Sequence, residues 1–167
     1  MVTFLHDLAA ASNAPTVATV GTMRFEPNAI NVIPSRAVLT VDLRDPDEQS
    51  LQAQEASLAA FLEQLAAEGI TVSVERLARF EPVVFDGQVV ELIEAAARKR
   101  GLASRRMTSG AGHDAQMIAR IAPAAMIFVP SAGGISHSPH EHTEDAELLA
   151  GANILLDVVA ELAELEG

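Results

Sequence analysis

The sequence predicts a mixed fold: an α+β part over residues 1–83, then the closing units of an α/β sheet over residues 84–167. Three observations carry this. Leu39, Val41 and Leu43 alternate with Thr40, Asp42 and Arg44, the period-two signature of a strand with one face covered. Glu81-Pro82-Val83-Val84-Phe85-Asp86-Gly87 breaks that texture and reads as a crossing segment. Ala125 to Val129 is a continuous apolar run, expected of a strand covered on both faces.

The remaining elements follow in order. Val2 to Ala11 reads as the end of a helix that began before this chain does. Thr16 to Phe25 and Ala37 to Arg44 are strand-like, with a turn at Pro34-Ser35-Arg36. Asp47 to Glu68 is an amphipathic helix with Leu51, Leu58, Leu62 and Leu65 on one stripe and Gly69 as its stop. Ile70, Val72 and Val74 alternate with polar neighbours and predict a third strand. Gln88 to Arg100 is a helix ending at Gly101, and His113 to Ile121 a short helix entered through a glycine-rich turn. The last helix is expected over Glu144 to about Glu164, with Thr143 as N-cap and acidic residues in its first turn.

Composition narrows the function classes. A hydrophobic fraction of 49% and a charged fraction of 20% are those of a globular chain. No apolar run approaches the roughly 20 residues that span a bilayer. A net charge of −12 argues against nucleic acid and against an anionic membrane surface as partners. The basic run Arg98-Lys99-Arg100, with Arg105-Arg106, is placed as a helix end favoured by the dipole. The absence of cysteine excludes disulfides and thiol metal sites, and makes a cytoplasmic address the default.

Two stretches carry candidate chemistry. Ser131-Ala132-Gly133-Gly134-Ile135-Ser136-His137-Ser138-Pro139-His140-Glu141 follows the apolar run, and ligand sites in α/β sheets lie off the carboxyl ends of strands. Neutral imidazole ligates zinc or manganese, although a surface loop with three histidines reads the same way from chemistry alone. Ser109-Gly110-Ala111-Gly112-His113-Asp114-Ala115 exposes backbone N–H groups at a helix entry, which favours an anion. His113 and Asp114 are adjacent and do not face each other as a catalytic pair would, so capping by Asp114 is expected.

These stretches, with Asn28-Ala29-Ile30-Asn31-Val32-Ile33-Pro34-Ser35-Arg36 running into Val41-Asp42-Leu43-Arg44, resemble three ordered motifs of the N-carbamoyl-L-amino-acid hydrolase and allantoate amidohydrolase family. These enzymes form a branch of the two-metal aminoacylase/carboxypeptidase-like peptidases. The resemblance implies a partial lid, or dimerisation, domain with an antiparallel sheet over 1–83. Over 84–167 it implies the carboxy-terminal end of a metallopeptidase-like α/β catalytic domain. It implies His137 as ligand to one of two divalent ions, zinc or manganese. It further implies Asn31, Arg44 and the backbone at Gly112 as holders of the substrate carboxylate, with Asn31 and Arg44 usually serving the partner subunit's site. Glu141, His113 and Asp114 are expected to support these groups, while His140 and His142 match nothing the family asks for and are expected to face solvent.

The implied activity is hydrolysis of non-peptide C–N bonds in ureido or amide acids by metal-activated water. An aminoacylase or peptidase specificity is the alternative within the superfamily. The family's other ligands and its general base lie in an amino-terminal half, so no catalytic residue is assigned here; a lid histidine also lies upstream, and His6 is too close to Asn31 to be its match. The expected partners are a small-molecule substrate, a second copy through the lid sheet, and a separate amino-terminal half. The contrasting reading is a catalytically silent fragment acting only by association.

Overall fold

The structure, a computed structural model, describes residues 1–12 and 15–165. Its architecture is mixed, with five α-helices and a two-stranded antiparallel sheet among the described residues. The chain divides into two compact units, Met1–Pro82 and Val83–Gly167.

In the first unit, α1 (Val2–Ala11) leads to β1 (Val17–Glu26), β2 (Arg36–Arg44) and α2 (Glu48–Ala67). The strands pair from Val17↔Arg44 to Glu26↔Arg36 with a bulge between Val20 and Thr22. At the bulge the Thr22 N–H donates to Thr40 Oγ1 at 3.0 Å, replacing a lost ladder bond. Leu39, Val41 and Leu43 are half-buried and their neighbours exposed, as the alternation requires. Helix α1 packs on β1 and α2 on β2. Leu5 and Leu51 are buried, and Phe4 stacks on Phe61 with ring centroids 4.2 Å apart.

Helix α2 starts where Asp47 accepts the Ser50 N–H at 2.8 Å and stops at Gly69, whose φ of 90° suits glycine. One inward position on α2 is polar. Gln54 donates to Asp45 Oδ2 and to Thr16 Oγ1, both at 2.8 Å, and the Thr16 hydroxyl donates to Asp45 Oδ2 at 2.6 Å. The Asp47 N–H donates to Asp45 Oδ1 at 2.9 Å. Asp45 and Gln54 are each only 6% exposed, so this knot ties the start of β1, the end of β2 and α2 through a buried carboxylate.

In the second unit, α3 (Gly87–Lys99) begins at Asp86, which accepts the Val89 N–H at 2.9 Å and donates its own N–H to the Ala124 carbonyl at 2.9 Å. Short α4 (Ala115–Ile118) and long α5 (Asp145–Leu165) follow. Helices α3 and α5 share a core of Ala96, Ala97, Ile154 and Val158, with Ile127 packed against it. Arg100 closes their far side with a two-bond fork to Asp157, at 2.6 and 2.8 Å. Gly151 lies against Val129: a Cβ there would stand 2.6 Å from Val129 Cγ1, so a methyl does not fit.

Several expectations are corrected. Ile70–Val74 forms no strand, and no backbone–backbone hydrogen bond among the described residues joins residues 71–85. Ala125–Val129 likewise forms no ladder, and Phe128 within it is 48% exposed. Alternation and apolar runs report which face wants burial, whereas a strand also needs a neighbour to accept its bonds. The helix expected over His113 to Ile121 is regular only over Ala115–Ile118. Helix α5 starts at Asp145, because the Glu144 carbonyl accepts the first bond, from the Leu148 N–H at 3.1 Å, which puts the cap on Glu144 rather than Thr143.

Asp45 yields a pH dependence. Burial alone would raise its carboxyl, but the bonds from Thr16, the Asp47 N–H and Gln54 outweigh it and hold the carboxyl below its ordinary value. A carboxyl lowered by folding contributes stability above its unfolded value, and that contribution fades as pH falls through the folded value. Urea denaturation should therefore show stability declining below about pH 4. Asp45→Asn should flatten that decline and cost on the order of 2 kcal/mol at neutral pH. An unchanged acid slope in the variant would assign the effect to other carboxylates.

Candidate functional site

The histidine loop closes on itself. The Ala132 N–H donates to the His142 carbonyl at 2.7 Å, so the two ends of the loop meet. Between them the chain turns through Gly133 and Gly134 at φ of 64° and 69° and then places His137 at φ 54°. A side-chain residue in the left-handed region costs roughly 1 kcal/mol and persists where its surroundings fix it. Here the Glu141 carboxylate accepts the His137 N–H at 2.9 Å, and the Glu141 N–H donates to the Ser138 carbonyl at 3.0 Å. The imidazole of His137 is exposed at the apex of this brace. His140 and His142 are exposed too, and His142 lies 3.5 Å from Glu144.

The glycine-rich turn is held by side chains. Ser109 Oγ accepts the Ala111 N–H at 3.2 Å and lies 2.8 Å from His113 Nε2. The His113 N–H is capped by Gln116 Oε1 at 3.2 Å. Asp114 makes no capping bond, which corrects the role expected for it: its backbone is already helical, so its carboxylate does not point back at the free N–H groups. The capping group is Gln116, three residues beyond His113, and the Gln of a capping box at that spacing is a sequence signal that the Asp114 expectation passed over. Gly112 is exposed beside this brace.

Asn31 and Arg44 are not brought together. Arg44 ends β2 opposite Val17, whereas Asn31 lies in the connection beyond the Glu26–Arg36 pair, at the other end of the hairpin. At roughly 3.3 Å per residue, the span from Arg36 to Arg44 is about 26 Å. Asn31 is exposed, and its neighbours Ile30 and Ile33 are 108% and 92% exposed, so this tip stands clear of its own unit. Arg44 is held by Asp42, with Nε 3.0 Å from Oδ1 and Nη2 2.6 Å from Oδ2. That pairing lowers the Asp42 carboxyl and raises the Arg44 guanidinium relative to their ordinary values.

A divalent centre needs about three protein ligands. Among the described residues no group of three or more His, Cys, Asp or Glu is close enough to hold a metal ion. His137 belongs to no such group among the described residues.

Comparison with known proteins places this geometry. Residues 4–161 match the model of peptidase family M20/M25/M40. The chain is 40% identical over 158 residues to an N-carbamoyl-L-amino-acid amidohydrolase of Rhizobium meliloti, covering 93% of this chain and 38% of that protein. It is 38% identical over 146 residues to the allantoate amidohydrolase of Bacillus subtilis, covering 87% of this chain and 35% of the relative. The crystal structure of an amidase of the hydantoinase/carbamoylase family from Burkholderia vietnamiensis superposes with a TM-score of 0.85 at 39% identity, over 94% of this chain and 38% of that one. The chain thus spans less than two fifths of the length of these relatives.

The Glu141 brace is testable in the loop alone. Glu141→Ala removes the acceptor of the His137 N–H, worth about 1 kcal/mol at an exposed position. Amide exchange at His137 should accelerate about fivefold, with Glu141→Gln intermediate because it keeps a neutral oxygen acceptor. Unchanged exchange in Glu141→Ala would show that the glycines alone set the loop.

Proposed function

The chain belongs to peptidase family M20/M25/M40, and from that premise we propose that it is the carboxy-terminal part of a metal-dependent amidohydrolase. Its substrates are N-carbamoyl amino acids, allantoate or related ureido acids, cleaved at a non-peptide C–N bond. The observation that carries this reading is the braced His137 loop, in a chain similar along most of its length to enzymes named for those substrates. Residues 1–83 act as part of a lid and dimerisation domain, and residues 84–167 as the end of the catalytic domain. Cytoplasmic residence belongs to the same reading and rests on the cysteine-free composition.

Each residue has a defined task. His137 offers one imidazole to one of two divalent ions, zinc or manganese, and Glu141 fixes the backbone that aims it. When bound, such ions supply a Lewis acid and an ionised water. The planar fork of Arg44, the amide of Asn31 and the backbone at Gly112 hold the substrate carboxylate. Asn31 and Arg44 of one copy serve the site of a second copy, paired through the lid sheet. The remaining metal ligands and the general base come from a polypeptide corresponding to the rest of the relatives' length.

A second reading keeps the chain as an association module, pairing with a second copy or with a separate amino-terminal half. Ammonia release from N-carbamoyl amino acids and allantoate, with zinc or manganese added, separates the two. The 167-residue chain alone should release none. Joined to an amino-terminal part from a relative it should turn over, His137→Ala should abolish turnover, and His140→Ala should leave it nearly unchanged. Turnover by the isolated chain, or by the His137→Ala hybrid, defeats the proposal; a hybrid that folds and stays silent favours the association module.

The two-copy arrangement is tested by mixing. His137→Ala and Arg44→Ala hybrids should each be inactive, yet subunit exchange between them should restore about a quarter of the sites. No recovery on mixing would place Arg44 in the site of its own copy.

A further inference from the structure

Ser109 and His113 meet behind the glycine-rich turn in a way that the substrate reading does not use. Ser109 Oγ, half-buried, already accepts the Ala111 N–H at 3.2 Å. Its proton needs an acceptor, and among the described residues the one within reach is His113 Nε2 at 2.8 Å. The imidazole itself is seated by Phe128, edge to face, with ring centroids 5.8 Å apart and planes at 64°. Its backbone N–H is tied to Gln116. Ring, hydroxyl and turn therefore form one closed brace around Gly110, Ala111 and Gly112.

We infer that His113 is a positioning residue: as the neutral Nδ1–H tautomer it accepts the Ser109 proton at Nε2 and so holds the glycine turn in the shape presented to the substrate carboxylate. The role in presentation rests on the substrate reading above; the hydrogen-bond assignment does not. The tautomer follows from donor and acceptor counting. A ring protonated at Nε2 would make the hydroxyl oxygen accept twice, which its two lone pairs allow, but would leave the hydroxyl proton without an acceptor among the described residues. A purely packed histidine has no such preference, which makes the tautomer a readout that filling space alone would not move.

The experiment is nitrogen NMR of the full 167-residue chain at a pH where the ring is neutral. Long-range proton–nitrogen spectra should show His113 protonated at Nδ1 and unprotonated at Nε2. Ser109→Ala should shift the ring toward the Nε2–H form. It should also drop the backbone order parameters of Gly110, Ala111 and Gly112 from about 0.85 to below about 0.6, while Ser109→Thr, which keeps the hydroxyl, should restore both. An Nε2–H ring in the unsubstituted chain, or a turn equally rigid in Ser109→Ala, overturns the inference. Titration with an N-carbamoyl amino acid tests the other half. If the brace behaves as described but the ligand shifts none of these three amides, the presentation role falls with the substrate reading, while the hydrogen-bond assignment stands.

Discussion

A strand is half a structure until another strand accepts its hydrogen bonds, and that constraint governs this chain. A β-strand offers N–H and C=O groups along both edges, and burying its side chains without pairing those groups carries a desolvation penalty. Among the described residues only β1 and β2 satisfy each other. Ile70–Val74 and Ala125–Val129 have the side-chain patterns of strands but no ladder. The exposed apolar side chains follow from the same cause, since a sheet face is covered only where a sheet has formed. Val74 is 71% exposed and Leu156 of α5 is 64% exposed, although both lie in apolar patterns.

Where elements do pack, polar groups set the fit as much as apolar ones. The first unit is knotted by a buried carboxylate that collects bonds from three segments. Such a group is costly to bury and stays only because each of its bonds is made, which gives the β1–β2–α2 arrangement a specificity that leucine packing alone does not supply. The second unit relies on small residues. Ala96 and Ala97 let α3 and α5 come close, and Gly151 lets α5 lie on Val129.

Three of the candidate groups are each held by a brace of their own. His137 is held by Glu141, the glycine turn by Ser109, His113 and Gln116, and Arg44 by Asp42. Each brace is local, spanning two to four residues of sequence, so it forms without the rest of a site. The chain spans less than two fifths of the length of the relatives it matches.

The helices were legible because their signals are local. Gly69 and Gly101 as stops and the Leu51–Leu65 stripe are set by neighbours within a turn or two. The β1–β2 pair was legible for a similar reason, as its alternation and turn lie in one stretch. The family likeness of the three motifs could also be read from residues alone, because each motif is a continuous string. Tertiary structure decided what depends on distant partners: whether Ile70–Val74 and Ala125–Val129 find neighbours, and that Gln54 turns inward to Asp45. It also decided that Asn31 and Arg44 stand apart. Sequence encodes what each segment seeks to bury or bond; whether it is met depends on groups that only folding brings within about 3 Å.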